Sequence, residues 1–246
     1  MPKALQYKEY ALHCHWSGRL QTAQECAVAL INFLKGLEKL GTPFITWDYF
    51  NTKNKIELIP LDVDEVRKQL LLPVNGAKRG VKPDTTMPIM GFNTLLFSAG
   101  KNGERVTLSI DYGIQETGSR NQCRIRLPTK GEIATQVLQP ETLKRLLEAV
   151  VKAWKPDWAV VDYFDPKDTD WSIDIIPVYW LVYLSDQRGQ MPLLPSPACV
   201  DRIKGYGSYV ITTPEPFVRD NLEHLAISNQ VKEILGQAGL LTVPPD

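Results

Sequence analysis

Cysteine and histidine are scarce, with four cysteines and three histidines in 246 residues. No two cysteines stand in a CxxC spacing and no histidine cluster completes a ligand set, so no zinc site is legible and no cofactor is expected. Cys14, Cys26, Cys123 and Cys199 read as reduced thiols. No apolar run approaches the roughly 18 residues of a membrane span. The opening MPKALQYKEY lacks the apolar stretch of a signal peptide. The expectation is a cytoplasmic protein with no membrane contact. Neither sign of charge dominates, since 28 Lys and Arg balance 28 Asp and Glu. A chain of zero net charge lacks the basic footprint of general nucleic-acid binding and the charge excess of a disordered tail.

Catalytic signatures are missing as well. There is no GxSxG elbow for a nucleophilic serine. Gly205-Tyr206-Gly207-Ser208 precedes a strand pattern, so it cannot aim a helix N-terminus at a phosphate. Gly76 to Gly80 (GAKRG) lacks the Walker spacing and the terminal Lys-Ser/Thr. His13 and His15 share one strand face, but without a third ligand nearby they read as structural. His224 shows no evident partner.

What is present is the material of a globular core, at 43% hydrophobic and 23% charged. The charge is unevenly spread: residues 1–130 hold 18 basic against 12 acidic side chains, and residues 131–246 hold 10 against 16. Such asymmetry is one way to prepare a face for a charged partner, although sequence halves need not be spatial halves.

The patterning alternates helices and strands. Ala11–Trp16 alternates as a strand. Thr22 and Glu25 form a capping box, and Cys26, Leu30, Phe33, Leu37 and Leu40 then repeat at helical spacing until Gly41 and Pro43. Phe44–Phe50 and Ile56–Ile59 read as strands, and Val63–Leu71 as a short helix with acids at its start. Residues 73–91, rich in proline and glycine, read as a loop. Phe92–Ser98 and Arg105–Tyr112 form a hairpin through Asn102-Gly103, with Gln122–Leu127 as a third antiparallel strand wet on one face. Pro140 opens a second long helix whose stripe is Leu143, Leu146, Leu147, Val150, Val151 and Trp154. Trp158–Tyr163, Ile173–Ile176, the doubly apolar Val178–Leu184 and Tyr206–Thr212 read as strands. A last helix runs from Asp220 or Asn221 to Gly239.

Two stretches resemble each other. FITWDYFNTKNKIELIP (Phe44–Pro60) aligns with WAVVDYFDPKDTDWSIDIIP (Trp158–Pro177), at an offset of 114 residues at DYF and 117 at the proline. The likeness suggests an internal duplication. The loops inside the two copies diverge. The first has Lys53 and Lys55 and no acid. The second has Asp165, Asp168 and Asp170 against Lys167, with Trp171 beside them. Such a loop is either a solvated acidic turn or a specific contact. Five tryptophans lie on apolar faces and read as core, whereas Trp171, in the acidic loop, would make a binding anchor.

His15–Leu40 (HWSGRLQTAQECAVALINFLKGLEKL), Phe92–Gly113 (FNTLLFSAGKNGERVTLSIDYG), WLVYLS, LPSP, TPEPF, Asn221-Leu222-Glu223-His224 and AGLL occur in an order that resembles the Immunity protein 52 family of bacterial polymorphic toxin systems. The resemblance implies an α+β protein without catalytic activity. It would neutralise a cognate toxin delivered by type VI or contact-dependent secretion, commonly a restriction-endonuclease-like nuclease. It supplies no binding residues. The expected organisation is one immunity-protein domain over residues 1–246, with mostly antiparallel sheet and two or three long amphipathic helices. Its pseudo-repeats would cover about 8–91 and 92–213, followed by a C-terminal helix at about 220–239.

The mechanism expected for such an inhibitor is occlusion of a basic nucleic-acid groove by carboxylates. The candidate partner-binding residues are Asp162, Asp165, Asp168, Asp170, Trp171 and Asp174, with no direct contact to nucleic acid. The alternative is a degenerate metal-dependent nuclease using Asp157, Asp165 and Lys167 in a PD…DxK-like array. A structural subunit of a larger machine is a third possibility.

Overall fold

The computed structural model describes residues 9–51, 53, 55–72, 90–101, 103–114, 121–163 and 175–243. Strand β1 (Tyr10–Trp16) leads into helix α1 (Ala23–Glu38), a hairpin of β2 (Trp47–Phe50) and β3 (Ile56–Leu58), and α2 (Val63–Leu70). Then come β4 (Met90–Ser98), β5 (Thr107–Ile114) and β6 (Asn121–Arg126), followed by α3 (Gly131–Val137) and α4 (Pro140–Trp154). The remainder is β7 (Trp158–Tyr163), β8 (Leu181–Ser185), β9 (Cys199–Ile203), β10 (Gly207–Ile211) and α5 (Leu222–Gln237). The described strands form one sheet in the order β3-β2-β4-β5-β6-β1-β7-β8-β10-β9, each neighbouring pair antiparallel. The architecture is therefore α+β around a large antiparallel sheet, as expected.

The long helices α1 and α4 form where their periodicity puts them. The Thr22 side chain accepts from the Glu25 N–H, and the Glu25 carboxylate accepts from the Thr22 N–H at 2.7 Å, so both partners of the capping box are engaged. Cys26, Leu30, Phe33 and Leu37 lie on the buried side of α1. The whole expected stripe of α4 is buried, from Leu143 to Trp154. Lys155 then takes a left-handed conformation (φ 46°), and Pro156 cannot continue the helix. Both helices pack with α2 on one sheet face, where Leu12, Cys14, Trp16, Leu108, Ile110 and Tyr112 meet them in the main core. On the opposite face α5, capped by Asn221, closes a second core with Trp158, Val160, Val182, Leu184 and Val210.

Several expected boundaries move. β2 begins at Trp47 because the Phe44 N–H closes a turn onto the Gly41 carbonyl. β8 begins at Leu181, not Val178. Ser228 donates to the Val178 carbonyl and Thr212 to the Tyr179 carbonyl, which takes these residues out of the ladder. Met90 and Gly91 belong to β4, while the rest of the expected 73–91 loop lies outside the described residues. So do Asn102 of the hairpin turn and Ile173 of the expected 173–176 strand. Ile175 makes one isolated bridge, to Thr242.

The two stretches of similar sequence occupy different places. The first folds as the β2–β3 hairpin at one sheet edge, whereas β7 of the second lies inside the sheet between β1 and β8. Residues 164–174 of the second stretch lie outside the described residues.

Candidate partner-binding surface

Of the sequence-derived contact residues, Asp162 is described. It belongs to β7, pairs with Ala11 across the ladder and is 3% exposed, so it sits within the sheet. Asp165, Asp168, Asp170, Trp171 and Asp174 lie outside the described residues. Of the nuclease-like array, Asp165 and Lys167 lie there too. Asp157 accepts a hydrogen bond from the Ser17 N–H at 2.8 Å, and its own N–H donates to the His15 carbonyl, so it fastens the end of β1. Beside it, Arg19 donates to the Trp154 and Lys155 carbonyls, each at 2.7 Å. A cation on these orphan carbonyls closes the C-terminus of α4. The His-Trp-Ser-Gly-Arg segment thus joins β1 to α4. Among the described residues, no three His, Cys, Asp or Glu side chains group as metal ligands.

His224, which showed no partner in the sequence, is held on both ring nitrogens. The Val218 N–H donates to Nδ1 at 3.0 Å, and Nε2 lies 2.9 Å from Glu215 Oε1. Those partners are six and nine residues upstream, off the helix, where no helical spacing would show them.

The sheet face turned away from α1 and α4 carries mostly polar side chains on β5, β6 and β1, in three cross-strand rows. The first runs Asn93, Asp111, Gln122, His15, Trp158; the second Leu95, Ser109, Arg124, His13, Val160; the third Phe97, Thr107, Arg126, Ala11, Asp162. In the first row Asn93 donates to Asp111 Oδ1 at 2.6 Å and Gln122 to Oδ2 at 2.7 Å, so both carboxylate oxygens are engaged. His15 stacks on Trp158 with ring centroids 4.2 Å apart. His13 is buried beside Arg124. Burial first, then the charges of Arg124, His15 and Arg126, lower its pKa to about 3, so the ring stays neutral.

Toward β3 the face becomes apolar. Phe50 pairs with Ile56 and Asp48 with Leu58; Phe50 meets Phe97 edge-on at 5.3 Å. Leu58, Ile56, Phe50 and Leu95 are exposed to 65, 55, 49 and 43%. β2 pairs with β4 only at Trp47 and Asp48. Where the ladder ends, a cleft of about 210 Å³ is lined by Leu30 of α1, Val66 and Leu70 of α2, and Tyr49, Phe50 and Leu95 of the strands. The alternation in β2 and β4 puts Phe50, Leu95 and Phe97 on one face, and the strand order brings them together.

These elements define an α+β protein in which the ten described strands form one antiparallel sheet, covered over one face by α1, α2 and α4 and over part of the other by α5. The chain belongs to the Immunity protein 52 family, which it matches over residues 8–244. It is also similar to the solved structure of the Pseudomonas aeruginosa T6SS protein PA0821, with 14% sequence identity and a TM-score of 0.57. That likeness covers 94% of this chain and 74% of the other, and at this identity it speaks for the fold. No curated protein matches the chain.

Proposed function

We propose that the chain neutralises a cognate bacterial toxin by binding it, without catalysis of its own, and that it does so in the cytoplasm. The observation that carries this reading is membership of an immunity family along nearly the whole chain, residues 8–244. The further step is that the toxin is a restriction-endonuclease-like nuclease of a type VI or contact-dependent system. Its basic groove would be filled by the carboxylates of Asp165, Asp168, Asp170 and Asp174, with Trp171 as the apolar anchor, while Asp162, 3% exposed within the sheet, drops out of the contact set. The sequence supports that step by placing these acids in a chain whose second half is net negative. Opposite charge would accelerate encounter and reward groove filling.

Co-expression with the product of the neighbouring gene tests the reading. Rescue of growth and co-purification are expected, and continued toxicity without a complex would overturn it. Degradation of cellular DNA in the absence of the chain is the result expected of a nuclease. Intact DNA during killing would remove the nuclease step and leave the immunity role standing. Replacing Asp165, Asp168 and Asp170 by Lys should weaken the complex; unchanged affinity would place the contact elsewhere.

A further inference from the structure

We infer that Cys14 and Cys123 form a latent cross-strand disulfide, an oxidation site that closes when the chain folds in the presence of a disulfide oxidant. It stands apart from the toxin-binding reading, because in a reducing cytoplasm both residues remain thiols.

The strand register brings the pair together. Cys14 of β1 lies directly opposite Cys123 of β6, and the two thiols are hydrogen-bonded to each other. At the end of the same ladder the Leu127 N–H donates to the Tyr10 carbonyl. Hydrogen-bonded pairs recur at every second position, so Cys14 and Cys123 are one of them, with Cα atoms about 5.5 Å apart. Disulfides are commonest at about that separation. The Cβ atoms of such a pair, about 5 Å apart, reach the ~4 Å of a disulfide by a small shear of the two strands. The other thiols are placed differently. Cys26 lies on α1 beside Gly113, and Cys199 is exposed on the edge strand β9. More than 100 residues separate Cys14 from Cys123 in sequence, so no local spacing shows the pair.

Folding decides when the bond can form. Both residues are fully buried. Burial, and then the adjoining Cys14 thiol, push the Cys123 thiol well above its usual range, so the folded chain offers an oxidant neither access nor thiolate. Before β1 and β6 close on each other, the thiols are solvated and reactive. One thiolate then attacks a sulfur of the oxidant's disulfide, giving a mixed disulfide and releasing one oxidant thiol. The other thiolate attacks the cysteine sulfur of that mixed disulfide and releases the second. The chain gives up two electrons and two protons, and the oxidant leaves as two thiols. The closed bond joins two central strands across a loop of more than 100 residues, where a cross-link most restricts the unfolded chain.

The test uses the full chain, denatured with reductant and refolded either with glutathione disulfide or with dithiothreitol. Free thiols are alkylated in denaturant, and peptides are mapped by mass spectrometry without reduction. The oxidised arm should yield the peptide carrying Cys14 joined to the peptide carrying Cys123, and the reduced arm both peptides alkylated. The thermal midpoint of the oxidised arm should be higher by about 5–15 °C and return to that of the reduced arm after unfolding with reductant. Cys14→Ala should show one midpoint in both arms; Cys123→Ala serves if that variant does not fold. Glutathione disulfide added after folding should leave Cys14 and Cys123 as thiols.

A folded chain from the oxidised arm in which both residues are alkylated overturns the site. So does one in which either is joined to Cys26, to Cys199 or to glutathione. Equally rapid oxidation of the folded and the unfolded chain overturns the control by burial. If refolding yields no soluble chain, expression in a cell with an oxidising cytoplasm supplies the oxidised arm, with the same linkage expected. Toxin binding enters none of these readouts, so their failure and the failure of the toxin-binding reading are separate results.

Discussion

The two faces of the sheet obey different constraints. On the face under α1, α2 and α4 the inward positions of the central strands are apolar and buried: Leu12, Cys14 and Trp16 on β1, Leu108, Ile110 and Tyr112 on β5, Cys123 and Ile125 on β6. On the other face the same strands present His13, His15, Ser109, Asp111, Gln122, Arg124 and Arg126, and only the β7–β8–β10 portion is sealed by α5. One set of strands thus supplies the core with every second residue and leaves the alternate set largely outside both cores. Those alternate positions, little constrained by packing, are the ones available for recognition.

The largest effect expected from breaking this comparison lies at Trp154. It stacks on Trp16 at 5.5 Å and meets Phe33 and Tyr112 edge-on, linking α4, α1 and the sheet. Trp154→Ala leaves a cavity that neither helix can collapse into and should cost about 3–5 kcal/mol, read by urea denaturation. A loss below about 1 kcal/mol would mean that the helical layer does not depend on this cluster.

That layer was also the most legible part of the sequence. Helical spacing identified the stripes of α1 and α4, and Thr22, Glu25 and Pro140 marked their starts, because caps and periodicity are local signals. Strands β1, β5 and β6 showed through strict alternation. Two elements gave no signal. In α3 only Ala134 and Val137 are buried and no side chain caps the start. In β9, at the sheet edge, four of five residues are exposed, so it has no hydrophobic pattern and is held by β10 alone.

The open face was half legible. His13 and His15 sharing a side, and the wet face of Gln122, Arg124 and Arg126, follow from a period of two. Their assembly with Phe97 and Leu95 depends on β1 lying between β6 and β7, an order set by non-local packing. The acidic residues singled out by the sequence divide, Asp162 being a buried strand residue and the others lying outside the described residues.

The polar face should reveal itself in acid. His13 is held near a pKa of about 3 against an ordinary 6.5. Between those values the unfolded chain takes up a proton that the folded chain refuses, so stability falls as the pH drops. The loss attributable to this ring between pH 7 and pH 5 is about 2 kcal/mol. His13→Gln should flatten that portion of the profile in denaturation at the two pH values. An unaltered slope would show that the ring is not kept neutral. Thr22→Ala ranks next. Removing the hydroxyl that accepts from Glu25 should cost about 1 kcal/mol, measurable as a lower thermal midpoint.

The sharpest form of the comparison is the smallest effect. Leu95 and Leu96 are neighbours on β4; Leu96 is fully buried in the main core and Leu95 is 43% exposed on the open face. They share a backbone, a pairing partner strand and a side-chain volume, so the face is what separates them. Leu96→Ala should cost about 2–5 kcal/mol, whereas Leu95→Ala should change stability by no more than about 0.5 kcal/mol. The pair is measured by chemical denaturation of the two variants side by side. If Leu95→Ala proves as costly as its neighbour, the open face is packed in solution.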